Sequence, residues 1–125
     1  MALDQDLLKL EKGFWTEGGD YYREHVDDEC LLAFDGMAGV HSNEEIAGMN
    51  PGAGNWNGAK LDEKGLLELS DDSVILTYEV NATKKDGSPY HALCSTGYVK
   101  RDGEWKMMFH QQTPLMRRIR SRLLL

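Results

Sequence analysis

The stretch that decides the fold is GYVKRDGEWKMMFHQQTPL, residues 97–115. It reads as two strands joined at Asp102-Gly103, because Asp-Gly readily supplies the positive φ angles that a two-residue hairpin turn requires. A turn at this position pairs Arg101 with Glu104. The stretch therefore predicts a long antiparallel hairpin near the end of the domain.

Continuing this register along the hairpin assigns each side chain to a face of the sheet, since side chains alternate along a strand. Thr96 then lies opposite Phe109, and Cys94 lies opposite Gln111. The bulkier, more aromatic face is expected to lie under the helices, and it holds Tyr90, Ala92, Cys94, Thr96, Tyr98, Trp105, Met107, Phe109 and Gln111. The mixed face is expected to point outward, and it holds His91, Leu93, Ser95, Gly97, Val99, Lys106, Met108, His110 and Gln112.

The preceding strand has its own apolar set, formed by Val74, Leu76, Tyr78 and Val80. This set joins the inner face only if the loop around Asp86-Gly87 has an odd number of residues, such as residues 86–88. We favour the odd loop because it keeps the core together. An even loop would leave open which face lines a pocket.

Toward the amino terminus the chain reads as helices. Leucines and Phe14 at helical spacing predict an amphipathic helix that Gly18-Gly19 ends. Ser42 and Glu45 form a capping box, in which each side chain satisfies a free backbone amide at a helix start. The predicted elements are helices at 3–17, at about 20–27 and from the Ser42 cap to about Met49, a short strand at 30–34, a loop at 50–58, and strands at about 59–69, 73–84, 89–101 and 104–113.

Composition indicates one globular domain. The chain has 125 residues, 41% hydrophobic and 28% charged, with a formal charge of −7. Four of the basic residues are arginines in a tail at 117–125, so the predicted domain at 1–116 has ten basic and twenty-one acidic side chains, a net of −11. An acidic body repels phosphates, which argues against nucleic-acid binding. The basic tail is either solvated or a contact for an anionic surface.

Other classes of site lack support in the sequence. Acidic residues interrupt the amino-terminal leucines and no apolar stretch approaches a membrane span, so a cytoplasmic, non-membrane protein is expected. Cys30 and Cys94 are expected to be reduced, buried thiols. The histidines and cysteines have no metal-ligand spacing, and the glycines have no nucleotide-loop spacing, so neither a metal nor a cofactor is expected.

The order of elements and the ending of residues 97–115, with Asp-Gly, Trp-Lys and His-Gln-Gln-Thr-Pro, resemble the nuclear transport factor 2-like superfamily and, within it, the SnoaL-like and related uncharacterised families. Gly18-Gly19-Asp20 followed by residues 26–30 is similar to the family's passage from helix to first strand. The resemblance implies an α+β, cone-shaped roll with amino-terminal helices packed on a curved, mostly antiparallel sheet. It also implies a homodimer paired through the sheet. It does not fix a reaction, because this fold hosts enzymes of several classes and non-enzymatic binders.

The catalytic pattern of the superfamily's steroid isomerases does not carry over. Their base follows the double acid at the first strand, where this chain has Ala33 and Phe34, with Asp35 slightly late. Asp35 is nevertheless the best candidate for a general base, since burial at a strand end would raise its pKa. The competing interpretation is a turn-forming Asp before Gly36.

Two further groups of residues are singled out by the predicted register. The candidate pocket-binding residues are Trp15, Trp56, Tyr78, Cys94, Tyr98, Phe109 and Gln111. The candidate homodimer interface consists of Ile75, Leu93, Val99, Met108 and His110, because a semi-apolar sheet face often marks an interface. The function expected is a pocket for a small, mainly apolar organic molecule, held by a binder or by an enzyme of proton-transfer or water-addition type. The alternative is a non-catalytic dimerisation or interaction module.

Overall fold

The computed structural model describes residues 2–115 as three helices packed on one face of a six-stranded, curved sheet. The elements are α1 (Leu3–Thr16), α2 (Gly19–His25), β1 (Val26–Ala33), β2 (Gly39–Ser42), α3 (Asn43–Met49), β3 (Trp56–Ser70), β4 (Ser73–Lys84), β5 (Pro89–Arg101) and β6 (Glu104–Pro114). The strand order is β2-β1-β6-β5-β4-β3, and the β1–β6 pair is parallel while the others are antiparallel. The predicted α+β architecture is confirmed. The basic tail lies outside the described residues.

The helices form where the sequence patterns predict them. In α1 the buried side chains follow one face, at Leu7, Glu11, Phe14 and Trp15. At the start of α3 both halves of the predicted capping box are present, with the Ser42 hydroxyl accepting from the Glu45 amide at 3.1 Å. None of the helices within residues 2–115 is long and apolar enough to cross a membrane.

The two predicted turns of the meander are also present. Arg101 pairs with Glu104, and the turn between them has φ angles of 51° at Asp102 and 82° at Gly103. The loop between β4 and β5 is closed by a hydrogen bond from the Lys84 amide to the Ser88 carbonyl at 2.8 Å. It therefore contains three residues, 85–87, one position earlier than predicted. Its odd count keeps the apolar set of β4 on the inner face.

The predicted register of the last hairpin fails after Tyr98. Tyr98 does pair with Met107, as predicted. Gly97 then pairs with Phe109 and not with Met108, so Met108 is an extra residue in a β-bulge. Gly97 favours this bulge because it has no side chain: a Cβ there would lie 3.1 Å from the Met108 Cε atom and 3.2 Å from the Phe109 Cβ atom.

Because of the bulge, each β6 side chain after Met108 points to the sheet face opposite to the one predicted. His110 lies opposite Thr96 and Gln112 lies opposite Cys94, both on the inner face. Phe109 and Gln111 point outward instead. The prediction that Phe109 and Gln111 belong to the inner face, and His110 to the outer face, is therefore wrong.

The core lies between the helices and the inner sheet face. Its fully buried members from the sheet include Val74, Leu76, Tyr78, Val80, Ala92, Cys94 and Tyr98. Cys30 and Cys94 are free thiols within it, and burial raises the pKa of each to about 12. The short strand β2, which pairs with β1, was not predicted from the sequence.

Candidate functional site

A cavity of about 220 Å³ lies between the helices and the inner face of the sheet. Helix α1 and strand β6 provide its polar groups, and the remaining lining is apolar or aromatic. The lining residues are Glu11, Phe14, Trp15, Tyr22, Leu32, Phe34, Met37, Ile46, Met49, Pro51, Trp56, Met107, His110 and Gln112. Glu11 is the only Asp, Glu, Lys or Arg side chain among them, so no fixed positive charge from residues 2–115 lines the cavity.

Glu11 is a carboxylate on the buried face of α1, with only 1% of its surface exposed. Three hydroxyl groups from the sheet donate hydrogen bonds to it. Tyr78 and Thr96 donate to Oε1, at 2.6 Å and 2.8 Å, and Tyr98 donates to Oε2. A buried charge requires such partners, since an unsatisfied carboxylate would carry a large desolvation penalty. The sheet is therefore built to hold a charged group against the cavity.

His110 lies beside this cluster, and its orientation follows from the hydrogen bonds around it. Thr96 Oγ1 lies 2.8 Å from His110 Nδ1 and donates its own proton to Glu11. Thr96 must therefore accept from His110, which places the imidazole proton on Nδ1. The other nitrogen, Nε2, then accepts at 3.0 Å from the Gln112 side-chain amide.

The chain of hydrogen bonds continues to the edge of the cavity. The Gln112 carbonyl oxygen accepts from the Tyr90 hydroxyl at 2.8 Å, which is consistent with the amide group donating to His110. At the other end, the Trp15 indole donates to the Tyr78 hydroxyl at 3.1 Å. Every donor in this path meets an acceptor, so one arrangement of protons satisfies the whole network.

Burial affects the ionisation of the groups in the network. Desolvation lowers the pKa of His110 below its usual 6.5, and the nearby Glu11 carboxylate, 4.0 Å from Nδ1, partly opposes this. Burial and the Glu11 charge both raise the pKa values of Tyr78 and Tyr98 well above 10. At neutral pH the site therefore has a neutral imidazole and protonated tyrosines.

Aromatic rings form much of the cavity wall. Phe14 packs edge-on against Tyr22 with 4.9 Å between centroids, and Trp15 packs against Trp56 at 4.8 Å. The planes of these pairs are inclined at 63° and 70°, so the rings surround the cavity in several orientations. Phe34 adds a further ring, 6.1 Å from the His110 imidazole.

The predicted pocket residues divide into three groups. Trp15 and Trp56 line the cavity. Tyr78, Cys94 and Tyr98 are fully buried behind it and do not line it, although the two tyrosines hold Glu11.

The third group lies away from the cavity. Phe109 and Gln111 are on the outer face because of the bulge. Asp35 is exposed in the turn after β1 and is not among the residues that line the cavity. The turn-forming interpretation therefore fits Asp35 better than the role of a base.

Sequence reasoning missed Glu11, His110 and Gln112 as cavity residues. The sequence could have indicated that Glu11 is buried, because it lies on the apolar face of α1, four residues after Leu7 and three before Phe14. A charged side chain at such a position must be buried or distort the helix face. His110 and Gln112 were assigned to the wrong face, since the bulge at Met108 has no strong mark in the sequence other than Gly97.

Within residues 2–115, no three His, Cys, Asp or Glu side chains come together in an arrangement that could hold a metal ion. The cavity is lined at its polar end by the carboxylate, the imidazole and the Gln112 amide, and three buried hydroxyl groups of the sheet hold the carboxylate from behind.

No protein-family model and no curated protein sequence matches the chain. Solved structures do match. A nuclear transport factor 2-like protein of unknown function from Prochlorococcus superposes with a TM-score of 0.74 at 14% identity, covering 100% of both chains. A hexachlorocyclohexane dehydrochlorinase (LinA, type 2) has a TM-score of 0.60 at 19% identity, covering 90% of this chain and 86% of that one. The association domain of CaMKII from C. elegans has a TM-score of 0.62 at 12% identity, covering 87% and 93%.

Identities this low establish the fold alone, and the fold is shared by an enzyme and by an association domain. The three superpositions cover 87% to 100% of this chain. This protein has the fold of the nuclear transport factor 2-like superfamily.

Proposed function

We propose that the protein binds a small, mainly apolar organic molecule in the cavity and that His110 removes a proton from that molecule or from a water molecule beside it. The observation that carries the proposal is the hydrogen-bond path from Tyr90 to Glu11. It supports a neutral imidazole whose Nδ1 proton is engaged and whose Nε2 lone pair is the available basic site.

The surroundings of His110 suit a base. Its lowered pKa keeps it unprotonated at neutral pH. When Nε2 takes up a proton, the imidazole becomes positively charged, and the Glu11 carboxylate 4.0 Å from Nδ1 stabilises that charge. Glu11 itself is covered by three hydroxyl groups, so its role is to position and stabilise His110 instead of meeting the ligand directly.

Gln112 occupies the same end of the cavity and is only half-buried. Its amide can donate to His110 in the empty site and to a ligand oxygen when a ligand displaces it from Nε2. The same residue thus offers a donor to the polar group of the ligand at the place where the proton is transferred.

The size and lining of the cavity limit the ligand. A cavity of about 150 Å³ lined by apolar side chains accommodates benzene, and this one measures about 220 Å³. It therefore suits a molecule somewhat larger than benzene, with apolar sides and one polar group directed at His110 and Gln112.

Binding is tested by thermal unfolding with a panel of compact hydrophobic compounds that each have one polar group. A ligand at 100 times its dissociation constant adds about 2.7 kcal/mol to the free energy of unfolding. That corresponds to roughly 10 °C for a chain of this length. Met37→Trp, which places a larger side chain in the cavity, should abolish the shift. If no compound shifts the wild-type protein, the proposal is wrong.

Proton transfer is tested separately by incubating a bound compound in deuterated water and following its exchangeable carbon-bound hydrogen by NMR. His110→Gln should slow the enzyme-dependent exchange by about 10²–10⁴-fold, the usual contribution of a general base. His91→Gln is the matched control, because His91 lies on the outer face and bonds to Glu79. Equal exchange in both variants would show that His110 is not the base.

We further infer that two copies of the chain pair through the outer face of the sheet. Ile75, Leu93, Val99 and Met108 are half-buried there, and the bulge adds Phe109 to the same apolar face while removing His110 from it. Monomers seldom leave a contiguous apolar patch of this kind uncovered, and a two-fold axis lets the patch cover itself. That a CaMKII association domain shares the fold supports self-association.

The dimer is tested by light scattering and sedimentation at micromolar concentration. Met108→Glu should dissociate it, because the substitution places two like charges near the two-fold axis. Gln5→Glu, which adds an acid on the exposed side of α1, should leave it intact. A wild-type monomer, or a Met108→Glu dimer as tight as wild type, would contradict the inference.

A further inference from the structure

The cavity contains a buried negative charge that the proposed proton transfer does not consume. Glu11 is 1% exposed, and its partners are three neutral hydroxyl groups. Among residues 2–115 the only basic group within 4.0 Å of its carboxylate is His110, which burial keeps neutral at neutral pH. The charge is therefore satisfied by hydrogen bonds but is not neutralised by a positive side chain.

We infer that the ligand of this cavity is a small organic cation, an ammonium group with apolar substituents, which supplies the missing positive charge. The inference rests on the proposal that the cavity binds a small molecule. It adds the class of that molecule.

Electrostatics argues against an anionic ligand. Residues 2–115 contribute no lysine or arginine to the lining, so a carboxylate or phosphate ligand would meet Glu11 with no compensating charge from this part of the chain. In a site of low effective dielectric the repulsion between two like charges is much larger than in water. A cation gains the same interaction with the opposite sign, even without touching the carboxylate.

The walls of the cavity support a cation independently of Glu11. Five lining side chains are aromatic, namely Phe14, Trp15, Tyr22, Phe34 and Trp56. The negative face of an aromatic ring attracts an ammonium group, and enclosures of several rings are a common way to bind quaternary ammonium ligands. Apolar substituents on the nitrogen pack against the same rings.

The net charge of residues 1–116 also favours a cationic ligand. Residues 1–116 have a net charge of −11, which raises the local concentration of cations and lowers that of anions near the protein.

The chemistry also balances better with a cation. Transfer of an N–H proton from an ammonium ligand to His110 Nε2 leaves a neutral amine and an imidazolium, so one positive charge remains beside Glu11. Transfer from a neutral ligand leaves an anion and an imidazolium, which adds two charges to a buried site, and this costs more free energy.

The experiment compares two ligands of the same shape, 3-hydroxyphenyltrimethylammonium and 3-tert-butylphenol, by calorimetric titration. They differ in a positively charged nitrogen in place of a carbon. The cation should bind about tenfold more tightly to the wild-type protein, the equivalent of about 1.4 kcal/mol. This comparison needs no variant.

Variants then identify the source of the preference. Glu11→Gln should remove most of the preference, because it weakens binding of the cation much more than binding of the neutral phenol. Glu17→Gln, the same change at an exposed position after α1, should preserve it. Trp56→Leu, at a half-exposed ring of the wall, should weaken the cation more than the phenol, and it provides a test if Glu11→Gln does not fold.

The outcomes separate the two proposals. If the phenol binds to wild type as tightly as the cation or more tightly, the inference about charge is wrong and the small-molecule pocket stands. If neither ligand binds, both the pocket and its cation specificity are contradicted. A preference that survives both Glu11→Gln and Trp56→Leu would also overturn the inference.

Discussion

Tyr98→Phe is the substitution that most directly measures how strongly the buried carboxylate depends on the sheet. It removes only the hydroxyl that donates to Glu11 Oε2, from a ring that is 0% exposed. No other donor to that oxygen exists among residues 2–115, so the variant leaves one oxygen of a buried charge unsatisfied. Loss of a hydrogen bond to a charged group costs about 1.5–3 kcal/mol.

The matched control is Tyr90→Phe, which removes a hydroxyl that donates to the neutral, half-buried Gln112 amide. Water can replace that donor, so the expected cost is about 0.5–1.5 kcal/mol. For 125 residues the entropy of unfolding is roughly 260 cal/mol/K, so a loss of about 2 kcal/mol lowers the Tm by about 8 °C. Urea unfolding and calorimetry measure both variants. A Tyr98→Phe loss no larger than that of Tyr90→Phe would refute the role assigned to the Glu11 cluster.

Two other changes test the surroundings of the site. Burial lowers the pKa of His110 below 6.5, so as the pH falls below 6.5 the unfolded state binds a proton that the folded state does not, and the protein loses stability. Urea unfolding from pH 7.5 to 5 should therefore show a smaller loss of stability in His110→Gln than in the wild-type protein. An equal loss in the two proteins would contradict this. A Cβ at Gly13 would overlap the Tyr21 hydroxyl, so Gly13→Ala should cost about 1–3 kcal/mol. Gly48→Ala, with nothing within 4 Å, should be neutral or add up to about 1 kcal/mol, and calorimetry that showed equal Tm values for the two variants would refute this packing.

Local patterns in the sequence were enough to predict most of the fold. The capping box at Ser42, the Asp102-Gly103 turn and the helical spacing of the leucines are each decided by interactions within a few residues. The odd loop near Gly87 could also be inferred, since only one parity keeps the apolar set of β4 in the core. The short strand β2 escaped prediction because its pairing with β1 depends on tertiary contacts.

The candidate site was harder to predict because it depends on one inserted residue. A β-bulge at Met108 swaps the two faces of β6 for the residues that follow it. His110 and Gln112 therefore point into the interior, and Phe109 and Gln111 point outward. Alternation alone cannot detect such an insertion, although Gly97 across the strand pair is the residue that accommodates it.

Glu11 illustrates a second limit. Its position on the apolar face of α1 is visible in the sequence, but the three hydroxyl groups that bind it come from residues 67 to 87 positions away. The sequence could have indicated a buried carboxylate, whereas the partners that satisfy it become known only once the sheet register is fixed.

The central claim is that His110 presents an unprotonated Nε2 in a cavity open to a ligand. Long-range ¹⁵N–¹H correlation NMR on protein labelled at histidine measures this directly, with His110→Gln used to assign the signals. At pH 7.5 we expect a neutral ring with the proton on Nδ1. We also expect the Nε2 resonance to shift when 3-hydroxyphenyltrimethylammonium is added. A ring that is charged or protonated on Nε2 at this pH, or an Nε2 signal unchanged by saturating ligand, would contradict the role proposed for His110.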